Sequence, residues 1–278
     1  MIRTIDHIVI LVGELEQAIA DYSALGFTVV RGGDHPDGAT HNALVSFADG
    51  AYLELIAFKQ PDMQHLWWQR GQRSGEGLVD YALLPSDIAQ DVADARMRGL
   101  VVEGPTAGGR LRPDGQRLEW QTARAATSDL PFLCGDITPR ALRVPAGAAC
   151  RHSNGVISVA AITIAVADLA ASVARYQALL GQHNARVTPP TIIAGLGIRI
   201  AVVQLGTAQV VLATPVGVGV SAGVALREHL MLRGEGPYAV TFAVASDART
   251  GAFDLALAHG ARLERIAPQR METAVHAA

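Results

Sequence analysis

Apolar and polar positions along the chain switch repeatedly between two periods. Residues 5–12 are a short apolar run rich in β-branched types and bounded by polar residues, which predicts a strand. From Glu14 onward Leu15, Ala18, Ile19, Tyr22 and Leu25 recur at helical spacing, and Gly26 supplies the stop. Residues 28–31, 42–47 and 51–58 read as three further strands, so the order is β-α-β-β-β. The same order restarts after a Gly-rich gap at 74–77. A strand over 78–84 precedes a helix that Ser86 and Asp87 open as caps and Gly99 closes. Short strands at 109–111 and 116–122 then flank Pro113-Asp114-Gly115, a hairpin turn signal, and Phe132 marks the last strand.

Self-comparison extends the pattern to the rest of the chain. A shift of 154 residues places Leu15 on Leu169, Tyr22 on Tyr176 and Leu25 on Leu179, and it carries Ile8, Ile10 and Val12 onto Ile162, Ile164 and Val166. A shift of 160 places Ser86-Asp87 on Ser246-Asp247. One such module has a helix on one sheet face and leaves the other bare; two modules side by side enclose a cup. The expected fold is therefore α+β, with tandem βαβββ modules paired into curved mixed sheets that form a cup, the last module being truncated. The expected organisation is an active cup over 1–142, a linker over 143–155, and a degenerate pair over 156–278 with a structural or dimerisation role.

Composition narrows the classes. Half of the 278 residues are hydrophobic, enough for sizeable cores. Lys and Arg number 23 against 26 Asp and Glu, a net charge of −3 that gives no basic excess for nucleic acid or anionic lipid. Cys134 and Cys150 form neither a metal knuckle nor a secreted disulfide framework. Asp6 and His7 interrupt what would be a signal-peptide apolar region, and the longest apolar stretch, 156–167, is shorter than a bilayer demands. A soluble cytoplasmic protein is expected, with a small-molecule partner, no nucleic acid, no membrane, and a homodimer as an option.

Strand alternation puts Ile5, His7, Val9 and Leu11 on one face, and Tyr52, Glu54, Ile56 and Phe58 on one face of the fourth strand. A buried carboxylate costs several kcal/mol unless compensated, so Glu54 asks for a partner. An imidazole and a carboxylate facing one cavity can be two ligands of a divalent metal. They can equally bond each other or sit at the sheet's rim.

With those residues in place, the chain resembles the vicinal oxygen chelate superfamily. The resemblance is carried by Asp6-His7-Ile8-Val9, the βαβββ pattern ending in Tyr52-Leu53-Glu54-Leu55-Ile56, His41-Asn42, and Pro113-Asp114-Gly115 followed by Trp120. Within that superfamily these features are similar to the glyoxalase-like branch. The resemblance covers residues 3–140, and the remainder through the internal repeat. It implies a divalent metal (Mn, Fe, Zn or Mg) held by His7 and Glu54, acting as a Lewis acid on vicinal oxygens or activating dioxygen. The second module departs from the pattern: Asp80 stands opposite His7 as a candidate third ligand, and Cys134 or Asp136 stands near the place of Glu54. The second pair has Ala161, Val211 and Val240 at the positions of His7, Glu54 and Asp80 and retains none of the ligands.

Other candidates have bland readings beside the functional ones. Asn42 and Trp120 are candidate substrate contacts, or a strand-edge amide and a core indole. Arg112, with Arg110 and Arg117, recognises a substrate carboxylate if it points inward and is otherwise solvated. His65, Trp67, Trp68 and Arg70 cover the cup mouth or form a surface helix. His152 reaches the metal or is a solvated linker histidine. Two functions follow: a metal-dependent lyase, isomerase or dioxygenase with Glu54 as ligand and catalytic proton acceptor, or a metal-free binding protein of drug-sequestering type.

Overall fold

The computed structural model describes residues 2, 4–35, 38–182, 185–217 and 221–267. The first module comprises β1 (Thr4–Leu11), α1 (Leu15–Ala24), β2 (Val30–Asp34), β3 (Thr40–Ser46) and β4 (Tyr52–Phe58). After α2 (Leu66–Ser74) comes the second: β5 (Gly77–Leu84), α3 (Ile88–Met97), β6 (Val102–Leu111), β7 (Arg117–Ala125) and β8 (Phe132–Asp136). Their strands close into a barrel in the order β1-β4-β3-β2-β6-β7-β8-β5. β1 is the hinge of the arrangement, parallel to β4 and antiparallel to β5. The opposite seam is slight, with Asp34 of β2 facing Leu111 of β6.

β1 is apolar on both faces because both are covered. Ile8 and Ile10 join the core shared with Leu15, Ala18 and Tyr22 of α1, each such side chain contributing about 1.5–3 kcal/mol on burial. Val9 and Leu11 face inward with Ile56, Ala82 and Phe132. Asp87 caps α3 by accepting from the Gln90 N–H at 3.1 Å, and the hairpin turns at Gly115 with φ +83°, as the sequence indicates.

Several strands begin elsewhere than the pattern predicts, β2 and β6 for a visible reason. β2 starts at Val30 because the Thr28 N–H is already donated to His152 Nδ1 at 3.0 Å. β6 starts at Val102, well before 109, because Pro105 sits in a register shift between Glu103 and Thr106 where no ladder N–H is needed.

The short helix α4 (Arg140–Arg143) leads to the second half: β9 (Val156–Ala165), α5 (Leu169–Leu180), β10 (Arg186–Val187), β11 (Thr191–Ile193), β12 (Ile198–Leu205), β13 (Ala208–Pro215), α6 (Ser221–Arg233), β14 (Gly236–Val244), β15 (Gly251–Ala252) and β16 (Leu263–Ile266). These strands form an open curved sheet, β10-β12-β13-β9-β14-β16-β15, with β11 paired to β12. The last module is indeed short: Ser246-Asp247 lead into turns, and among the described residues no helix there matches α3. The end of the expected second region, beyond 267, lies outside the described residues.

The segment 143–155, expected as a linker, is packed. Arg143 is buried, and the His152 ring sits between the Thr28 N–H and the Ser46 carbonyl, both at 3.0 Å. The two halves share one core, in which Phe47 meets Phe242 and Phe27 meets Phe253 at ring separations of 5.2 and 5.1 Å. Polar ties cross it too: Tyr22 donates to the Ala258 carbonyl at 3.1 Å, and Arg175 pairs with Asp129 at 2.7 Å. No helix among the described residues is long and apolar enough to cross a membrane.

Candidate active site

The barrel encloses a cavity of about 500 Å³. His7 enters it from β1 and Glu54 from the neighbouring β4, where the parallel register sets His7 against Tyr52 and Val9 against Glu54. His7 Nε2 lies 3.5 Å from Glu54 Oε2, with His7 4 % and Glu54 6 % exposed. Asn42 on β3 donates from Nδ2 to Glu54 Oε1 at 2.5 Å, which fixes the carboxylate's second oxygen. That bond also fixes the amide's orientation and leaves Asn42 Oδ1 buried without a protein partner.

His35 is the ligand-type residue that the sequence reading missed. It lies just beyond β2 in Gly33-Asp34-His35, and its backbone N–H donates to the Thr40 carbonyl at 3.0 Å. Its Nδ1 pairs with the Thr40 hydroxyl at 2.8 Å, and its Nε2 stands 4.0 Å from Glu54 Oε1. Trp120 packs edge-on against this ring at 6.1 Å. A histidine between a Gly pair and Pro36 is ordinarily a turn residue, so nothing in strand periodicity flags it.

The far side of His7 is fixed by a charge network. A register shift in β1 between Ile5 and His7 lets Asp6 turn toward its neighbour, and His7 Nδ1 pairs with Asp6 Oδ2 at 2.6 Å. Arg143 donates to both Asp6 oxygens, at 2.9 and 3.0 Å, and Arg140 also reaches Asp6. Arg143 further holds the Tyr52 hydroxyl at 2.7 Å, and the Tyr52 ring stacks on His7 at 4.8 Å. Burial alone would raise the Asp6 pKa, but Arg143 and His7 outweigh it and hold the carboxyl well below its usual range. An ionised Asp6 can only accept, so His7 Nδ1 carries the proton and, in the neutral ring, Nε2 presents its lone pair to Glu54.

Other expected positions turn out differently. Asp80 is no third ligand: its Oδ2 takes Arg124 at 2.7 Å and the Trp67 indole N–H at 2.8 Å, its Oδ1 takes the Tyr81 N–H, and it does not line the cavity. Arg112 does not face the cavity either; it pairs with Asp114 at 3.1 Å on the hairpin, and Arg110 is the inward arginine. His152 has both ring nitrogens engaged and is structural. Asp136 is taken by Arg143 at 2.5 Å. Asp6, His7 and Cys134 do bring potential donor atoms within 4.8 Å of one another. Asp6 is saturated by guanidinium groups, however, and burial pushes the Cys134 thiol far up, so it stays protonated. Asn42, Trp120, His65 and Trp67 all line the cavity, the last two from the α2 segment.

In the second half the β9–β13 register pairs Ala161 with Gln209 and Thr163 with Val211, matching His7 with Tyr52 and Val9 with Glu54. Ala161 and Val211 thus take the places of His7 and Glu54. Val240 does not take the place of Asp80. It pairs with Ile162 as Tyr81 pairs with Ile8, so Ala239, opposite Thr163, is the counterpart of Asp80. The offset read from Ser86-Asp87 is one residue too long at the strand.

Residues 5–180 match the family model of the glyoxalase-like domain, more than half of the chain. The chain belongs to the glyoxalase-like domain family. Solved structures of low sequence identity share the fold of this glyoxalase-like chain. A protein from Staphylococcus aureus, described only as hypothetical, superposes with a TM-score of 0.71 at 13 % identity, covering 95 % of this chain and 99 % of its own. A triple mutant of 4-hydroxymandelate synthase from Streptomyces coelicolor gives 0.61 at 15 % identity, over 87 % of this chain and 71 % of that one. A xylose isomerase-like TIM barrel/4-hydroxyphenylpyruvate dioxygenase fusion protein gives 0.55 at 14 % identity, over 89 % of this chain and 37 % of the fusion. At these identities the likeness is one of fold. No curated protein sequence matches the glyoxalase-like chain.

Proposed function

We propose that the chain is a divalent-metal-dependent enzyme of dioxygenase type acting on a small oxygenated metabolite in the barrel cavity. One observation carries this: two imidazoles, His7 and His35, direct Nε2 at the two oxygens of one buried carboxylate, Glu54, at 3.5 and 4.0 Å. Each imidazole nitrogen stands near a different oxygen of Glu54, and a set of two nitrogens and a carboxylate is one that suits a divalent metal. His7, His35 and Glu54 would hold it, and such a set suits ferrous iron, which when bound supplies dioxygen activation.

The remaining residues serve that trio. Asp6 and Thr40 orient the two rings through Nδ1, and Asn42 orients Glu54. Trp67, Trp120 and Phe132 present apolar walls that exclude water from the substrate's uncharged part. A metal-free binding protein, the competing reading, has no use for this convergence.

Anaerobic loading with ferrous iron followed by nitric oxide, read by electron paramagnetic resonance, tests the proposal. The wild type is expected to give a high-spin iron–nitrosyl signal that Glu54→Gln loses. An iron-loaded wild type that takes no nitric oxide, or a Glu54→Gln protein with the same signal, would contradict it.

A further inference from the structure

We propose that Arg110 is the anion-binding residue of the cavity and that its ligand is a small organic acid. The ligand's carboxylate sits on the guanidinium, and its apolar remainder lies along Trp120 and Phe132. This rests on reading the cavity as the reaction chamber, not on which cation the chamber holds.

Arg110 is 4 % exposed and yet lines the cavity. Its Nη1 donates to the Gly32 carbonyl, and its Nη2 to the Arg143 carbonyl at 3.0 Å. Among the described residues no ion pair neutralises it. The acid whose charge it feels is Glu54, already engaged by Asn42, His7 and His35. Buried cations are ordinarily paired, and burial here pulls the Arg110 pKa down, the mark of a charge held at a cost. Two carbonyl bonds leave part of a five-donor fork unused, and that fork matches a carboxylate.

The other arginines of the cavity are spent. Arg143 serves Asp6, Asp136 and Tyr52, and Arg117 pairs with Glu119 at 3.0 Å on the exposed rim. The wall beside Arg110 is kept low by Gly108 and Gly109. A Cβ on Gly108 would come within 2.5 Å of Trp120 Nε1, so glycine lets the indole lie close against the strand. A Cβ on Gly32 would meet Asn42 Oδ1 at 1.9 Å and Arg110 Nη1 at 3.2 Å, so a second glycine makes room for the guanidinium beside the Glu54 anchor.

Calorimetric titration of the full chain, stripped of metal with EDTA, separates this from the metal question. The probes are phenylacetate and its neutral isostere phenylacetamide. The wild type is expected to bind the acid at least about tenfold more tightly than the amide, as a charge-assisted pair demands. Arg110→Gln should abolish that preference, and Arg110→Lys should keep part of it. Equal binding of the two probes, no binding of phenylacetate up to ~10 mM, or a preference that survives Arg110→Gln overturns the proposal. Should Arg110→Gln fail to fold, an undiminished preference in Arg110→Lys does the same. His7→Ala is expected to keep the acid preference whatever its metal content, so a failed metal site and a failed carboxylate site give different results.

Discussion

The barrel of the first half and the open sheet of the second are built from the same βαβββ frame, but among the described residues only the first closes around a cavity. In the barrel, closure buries His7 and Glu54 almost completely, and α2 stays at the rim, burying none of its own residues. In the second half the sheet does not close, and Ala161 and Val211 are half-buried. There α6 lies across the cup, with Leu226 packed on Ala165 and Ala213, the counterparts of Leu11 and Ile56. The frame therefore stands without an imidazole, a carboxylate or an empty interior. What the first half adds is an orienting network that has no packing role in the second.

The sharpest way to break this contrast is to remove the network's centre. Arg143→Met removes the cation shared by Asp6, Asp136 and Tyr52 and leaves buried Asp6 with Arg140 and His7 alone, so urea denaturation should show a loss of about 3 kcal/mol; the second half has Ala160 at the Asp6 position and carries no such liability. The same network sets an acid limit. The folded pKa of Asp6 lies below its unfolded value of 3.8, so its stabilisation is present above that pH and fades as pH falls below it. Next in size, Leu226→Ala unplugs the second cup and should cost about 2–4 kcal/mol, with the first cavity's ligand binding unaffected.

A smaller effect separates the halves by pH. Burial, with Arg233 and Arg262 beside it, pulls His229 down to about 4 from 6.5. A depressed folded pKa means that stability is full above 6.5 and declines as pH falls toward 4, because the unfolded chain takes up the proton first. Melting curves at pH 7 and pH 5 should show this decline in the wild type and less of it in His229→Gln. Smallest of all, Arg112→Ala should change stability by less than about 1 kcal/mol, since Arg112 holds the hairpin's Asp114 and, at a long 3.3 Å, the Leu142 carbonyl.

Much of this was legible in the string. Strand and helix periods gave both first-half modules, Asp87 announced its helix, and the repeat marked the second half as lacking ligands. His7 and Glu54 could be paired because strand alternation fixes which face each side chain takes. The rest depends on contacts that periodicity does not encode. His35 lies outside a strand, Asp6 turns inward only through a local register shift, and whether Arg110 or Arg112 points inward is set by hairpin geometry. Asp80 was read as a third ligand from its alignment with His7, and the string does not show that Arg124 and Trp67, which come from distant elements, engage it.

The most direct measurement is calorimetric titration of metal-free protein with a divalent cation such as Mn²⁺ or Fe²⁺, under anaerobic conditions, across single variants. One ion per chain is expected, with at least about tenfold weaker binding in His7→Ala, His35→Ala and Glu54→Gln, and wild-type binding in Asp80→Asn. Wild-type affinity in Glu54→Gln and His35→Ala, or its loss in a folded Asp80→Asn, would contradict the account.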